Sequence, residues 1–146
     1  MAENARSIPF RLVTPAQVVF DGEAELVIAV TTEGEEGILP NHAPFLAALR
    51  PGVLRANVRE GRDGGGASTR LELATSEGFM QALPDGVTVL VDEAVRFEEV
   101  VVSEARQELG EATERQKAAG GDREIVAREQ AKIEFAEAKL RLTGHK

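Results

Sequence analysis

Few side chains in this sequence could do chemistry. There are two histidines, His42 and His145. His42 lies inside Pro40-Asn41-His42-Ala43-Pro44, whose prolines and asparagine predict a tight turn. A histidine there either acts as a base or hydrogen-bonds its own loop. His145 is expected to be solvated. Neither histidine belongs to an HExxH pair, so no zinc or iron site is expected. Glu33, Glu35 and Glu36 form an acidic cluster that could supply a carboxylate pair or hold a divalent cation. It lacks the alternating aspartates and glycine of a calcium loop, and the plainer reading is an exposed loop between strands. Gly64-Gly65-Gly66 is not followed by Gly-Lys-Ser/Thr and a helix, so it is not a phosphate cradle. No serine stands in a GxSxG elbow. Cysteine is absent, which removes thiolate nucleophiles, thiolate metal sites and disulfides together. The residues support no active site, and a two-part interaction protein is the reading they leave.

Up to about residue 102 the elements that must position these residues alternate with period two. Leu54, Ala56 and Val58 share one face of a strand, and Arg70-Leu71-Glu72-Leu73 repeats the pattern after a polar, glycine-rich connection over Gly61 to Ser68. These two strands are expected to form a hairpin. Glu25 to Thr31 and Val87 to Val91 are apolar on both faces, as strands buried between layers are. Phe10 to Val13, Val18 to Phe20, Phe45 to Leu49 and Gly78 to Ala82 supply shorter strands. Many short strands with regular turn signals imply an antiparallel β-sandwich or barrel.

The texture changes near Ser103. Residues 1–102 hold no lysine and a net charge of −8, whereas residues 103–146 are neutral. The apolar period becomes helical, with Ser103 as expected N-cap and Gly120-Gly121 as the stop. Asp122 caps a second helix. On that helix Val126, Ile133 and Leu140 recur every seven residues, and Ala131, Phe135, Ala138 and Leu142 form a second stripe. Two helices of about 24 and 30 Å are expected to pair as an antiparallel hairpin. The first offers only Ala105, Leu109 and Ala112 to its partner, about 3 kcal/mol of apolar burial. So thin a seam predicts a hairpin that depends on docking and can leave the sandwich. The division expected is therefore an extension over residues 1–9, a β-sandwich over 10–102 and an α-helical hairpin over 103–146.

Composition excludes several classes. The 146 residues carry a formal charge of −8 with neither tryptophan nor tyrosine. Nucleic-acid binding, which needs clustered cations and stacking platforms, is not expected. Nothing approaches the ~20 consecutive apolar residues of a membrane span, and MAENARSIPF shows no secretory signal.

The run Gly34-Glu35-Glu36-Gly37-Ile38-Leu39-Pro40-Asn41-His42-Ala43-Pro44-Phe45-Leu46 resembles the signature of the epsilon subunit of F-type ATP synthases. Leu49-Arg50-Pro51-Gly52-Val53-Leu54-Arg55 and the stretch Pro84 to Val95 fit the same family. The resemblance runs from Phe10 through the change from strands to helical hairpin. It implies a non-catalytic rotor subunit with a β-sandwich and a C-terminal two-helix hairpin. The sandwich would pack on the gamma subunit and on the ring of c subunits. Glu33, Glu35 and Glu36 would then form the c-ring loop, and His42 would sit in a gamma-facing loop. The hairpin would be regulatory, extending along gamma to hinder rotation in the hydrolysis direction. Arg123, Arg128 and Lys132 are its candidates for meeting the catalytic beta and alpha subunits. The alternative is that these three cations only pair with Glu124, Glu129 and Glu134 on a solvated face, where each pair is worth under ~1 kcal/mol.

One departure bears on cofactors. Some members of that family bind ATP through a Leu/Ile-Asp-x-x-Arg-Ala motif, and here the matching stretch is Val102-Ser103-Glu104-Ala105-Arg106-Gln107. Arg106 is kept but the aspartate is lost, so no cofactor and no regulatory ATP are expected. The resemblance further implies peripheral association with the cytoplasmic face of a bacterial inner membrane, reached only through the c-ring. Two other readings stand beside it: a free-standing sandwich-plus-hairpin module or ATPase inhibitor, and a small hydrolase using Glu33, Glu35 and His42.

Overall fold

The computed structural model describes residues 7–60 and 67–144. Nine strands precede two helices: β1 (Ile8–Val13), β2 (Val18–Thr31), β3 (Gly34–Ile38), β4 (Phe45–Leu49), β5 (Gly52–Glu60), β6 (Thr69–Thr75), β7 (Gly78–Leu83), β8 (Gly86–Val91), β9 (Ala94–Arg96), α1 (Val102–Ala118) and α2 (Arg123–Leu142). A single 3-10 turn, Phe97–Glu99, links strands to helices.

Strand pairing runs β1-β8-β7-β4-β2-β5-β6-β9, with β3 also on β2. β1 closes the structure, pairing β8 in parallel and β2 antiparallel. The sheet therefore folds on itself as a sandwich. Period-two alternation sends Phe10, Leu12, Met80, Val87 and Val89 inward from one layer, and Val27, Leu54, Ala56 and Leu73 from the other.

The predicted β5–β6 hairpin forms, with Leu54 opposite Leu73 and Ala56 opposite Leu71. Most of the Gly61 to Ser68 connection and most of the expected N-terminal extension lie outside the described residues, as does His145. Ile8 and Pro9 belong to β1 rather than to an extension, and Ile8 is buried.

Three expectations about strands need correcting. Val18 to Phe20 and Glu25 to Thr31 are one strand of 14 residues. Gly22 does not interrupt it: a side chain there would press on the Arg59 carbonyl and the Phe20 ring, so glycine serves close packing. The register shifts between Ala24 and Leu26, so the strand bends without ending. Glu35 and Glu36 lie in a strand, β3, and only Glu33 is in the turn before it. Thr31 holds that turn, donating to the Gly34 carbonyl at 2.7 Å and accepting from the Glu33 N–H at 3.0 Å. Finally, β8 is not buried on both faces, because Leu90 points outward.

The helices pair as expected, with one shift. α1 begins at Val102 after Val101, which offers no side-chain cap, so Ser103 falls inside the first turn. Asp122 caps α2 as predicted, accepting from the Glu124 and Ile125 N–H groups. Gly120, with φ +62°, turns the chain between them.

Candidate functional site

Each outer face of the sandwich carries an apolar row. Val53, Ala74 and Val95 stand in register across β5, β6 and β9. The hairpin covers this row: Ala74, Phe135 and Ala138 form a small buried cluster with Val53, Val95 and Leu142 against it. The second stripe read from the sequence of α2 thus faces the sandwich. The first stripe, with Ile133 and Leu140 buried, serves the seam with α1, where Ala105 and Ala112 are buried.

The opposite face carries a second row. Ala48, Phe79, Leu90 and Val13 are in register across β4, β7, β8 and β1. No described residue closes over it. Phe79 is 60% exposed and Leu90 54%, and Leu46, one step along β4 on the same face, is 71% exposed. A water-facing sheet normally shows polar side chains here. Large apolar groups clustered on one face mark a contact surface. An open cleft of about 700 Å³ runs beside Phe79 and Leu90, bordered by Val13, Thr14, Arg50 and Asp92.

The acidic candidates sit at another edge. Glu33, Glu35 and Glu36 are all exposed, and alternation sends Glu35 and Glu36 to opposite faces of β3. Arg55 donates to Glu35 at 2.8 Å, bracing the strand against β5. His42 follows Asn41, whose φ of +68° makes the sharp turn. Its Nδ1 is 3.0 Å from the Leu39 carbonyl, while Nε2 is enclosed without a partner. No hydrogen bond joins His42 to Glu33 or Glu35 among the described residues. The geometry gives the hydrolase reading no base beside a carboxylate, and no cluster of possible metal ligands occurs among the described residues.

The hairpin candidates separate. Lys132 reaches Glu129 at 3.4 Å, and Arg115 of α1 reaches the same carboxylate at 2.8 Å. Glu129 is buried in the seam between the helices. The hydrogen bond from Arg115 holds its carboxyl below the usual value against the opposing effect of burial, and Lys132 adds to the lowering. Arg123, Arg128 and Arg106 form no ion pair among the described residues, so the expected pairing with glutamates on α2 holds for Lys132 alone. Arg128 and Lys132 line a narrow cleft whose sandwich wall carries Glu77, Asp92 and Glu93. Glu134 turns to the sandwich and binds Arg50 through both carboxylate oxygens, at 2.7 and 3.3 Å.

Leu46, Phe79 and Leu90 were not among the residues expected to function. The signal was present in the apolar positions on both faces of Val87 to Val91, but the same pattern describes a strand buried between layers. Only the fold shows which face is uncovered.

The family model for the β-sandwich domain of the ATP synthase delta/epsilon chain matches residues 7–97. The ATP synthase epsilon chain of Moorella thermoacetica is 38% identical over 140 residues, covering 94% of this chain and 97% of that one. Its counterpart in Xanthomonas campestris pv. campestris is 38% identical over 131 residues, covering 90% and 86%. Among solved structures, a chain of the Euglena gracilis mitochondrial ATP synthase, solved as an OSCP/F1/c-ring assembly, superimposes with a TM-score of 0.74. The identity there is 22%, over 99% of this chain and 85% of the other, and the likeness is one of fold.

Proposed function

The chain belongs to the ATP synthase delta/epsilon chain family and is a non-catalytic subunit of that complex, and from this premise we propose how its surfaces are used in the rotor. The open row of Leu46, Phe79 and Leu90 is the face that packs on gamma, with the His42 turn beside it on the chain leading into β4. The β2–β3 corner, bearing Glu33, Glu35 and Glu36, meets polar loops of the c-ring. A charged corner suits that contact, because charge sets encounter and register more than affinity. The complex brings the chain to the membrane. Its own helices, among the described residues, are too short or too polar to cross one. The site is assigned to the cytoplasmic face of a bacterial inner membrane.

The hairpin is the regulatory part. Docked, it holds Arg128 and Lys132, both exposed, beside the acidic wall of the sandwich. Extended, it offers these cations and Arg123 to the catalytic subunits and hinders hydrolysis. Regulatory ATP has no part in this reading. The motif's aspartate is replaced by Ser103, and Arg106 is an exposed cation that makes no ion pair among the described residues. Chemical-shift changes centred on Arg106 in millimolar ATP would contradict that.

The observation that carries the proposal is the uncovered apolar row. Phe79→Asp and Leu90→Asp place charge in it without touching the core. Each should weaken co-elution with gamma by at least ~10-fold, as loss of a central contact residue does, while the circular dichroism of the chain stays unchanged. Undiminished binding by both variants would remove this face from the gamma contact.

A further inference from the structure

We propose that Arg50 and Glu134 form an electrostatic latch that holds the hairpin on the sandwich and sets how often it is released. The proposal rests on the reading that the hairpin leaves the sandwich. It adds which contact decides the equilibrium.

Arg50 sits in the short turn between β4 and β5, and its N–H donates to the Val30 carbonyl at 2.9 Å, so its backbone is anchored in the sheet. From there the guanidinium straddles the Glu134 carboxylate, with Nη2 to Oε2 at 2.7 Å and Nε to Oε1 at 3.3 Å. Gln130, one turn earlier on α2, donates to the same carboxylate at 3.0 Å. The side chain of Glu134 is only 16% exposed, whereas that of Arg50 is 51% exposed. Docking has therefore largely desolvated the anion while leaving the cation in water. A carboxylate so placed has lost water contacts that its partner replaces, which makes this pair unlike a freely solvated surface pair.

The surroundings give charge a large share in the balance. The apolar part of the contact is modest: Ala74, Phe135 and Ala138 are buried in it, with Val53, Val95 and Leu142 partly buried against them. α1 packs principally on α2, so α2 carries the docking. Beside the latch, the signs alternate across the boundary. The sandwich presents Arg50 and then Glu77, Asp92 and Glu93, and α2 presents Glu134 and then Arg128 and Lys132. A reversed charge at either end of the latch meets its like across the gap.

The test uses the full chain. The Ala74 methyl group lies in one cluster with the Phe135 ring, so its proton shift reports docking, and the β8 amide shifts report an intact sandwich. Arg50→Glu and Glu134→Arg should each raise the released population at least ~5-fold, as loss of a bidentate charged contact requires. Amide exchange over residues 123–142 should rise with it. The double variant R50E/E134R should return both readouts toward wild type. Single variants as docked as wild type would overturn the latch, as would a double variant no better docked than the singles. Phe135→Asp separates the two ideas. If it releases the hairpin while the charge variants do not, the hairpin moves but the latch is wrong. If it does not, the mobile-hairpin reading falls, and the latch with it.

Discussion

At Gly78 the backbone of β8 lies where a side chain would stand. A Cβ there would collide with the Leu90 carbonyl oxygen and crowd Val91. Gly78→Ala must push the two strands apart, and should destabilise the chain by about 2 kcal/mol in urea unfolding. Gly110 is the opposite case, an exposed helix-interior glycine with open space where a Cβ would stand. Gly110→Ala should stabilise by ~0.5–1 kcal/mol in the same assay. At this scale the sequence was legible where a residue acts on its immediate neighbours. Asp122 caps α2 because a carboxylate two residues ahead of free N–H groups needs no tertiary help. Ser103 had the same local claim and lost it, because the N-cap position falls two residues earlier, at Val101. The pairing of Glu134 with Arg50 was not readable, since Arg50 lies 84 residues away.

The elements divide by what their pattern can say. The two stripes of α2 were visible and each has its own partner, because period 3.6 separates faces without reference to the rest of the fold. The strand β8 was misread, because an apolar face looks the same whether a layer or a partner protein covers it. The hairpin's thin seam predicts that it opens more readily than the sandwich, so amides over α1 and α2 should exchange faster than those of β2, β5 and β8. Equal protection would contradict this.

Acid should loosen the hairpin as well. Burial pushes the Glu134 carboxyl up, but the hydrogen bonds from Arg50 and Gln130 and the charge of Arg50 outweigh it and hold the group low. Glu129 is held low too, by Arg115 first, but both its partners lie within the hairpin, so its protonation loosens the seam between the helices and leaves the docking to Glu134. A carboxyl lowered in the docked state binds its proton less readily there than when released. Its contribution is complete above the ordinary glutamate value of ~4.3 and is lost as pH falls through the lowered value. The Ala74 methyl shift should therefore move toward its released position in that acid range, and Glu134→Gln should flatten the change.

The whole molecule is a sandwich with one face occupied by its own hairpin and the other left open. The net charge of −8 opposes self-association through the open row. On the proposed reading this chain joins a rotor through that row. That reading is tested most directly by mixing the purified full chain with a gamma-containing catalytic core stripped of its own small subunit and following co-elution. One chain bound per core, stable through the column and lost with Phe79→Asp, is the predicted result. A folded, monomeric chain that elutes alone would overturn the rotor role and leave a free-standing binding module in its place.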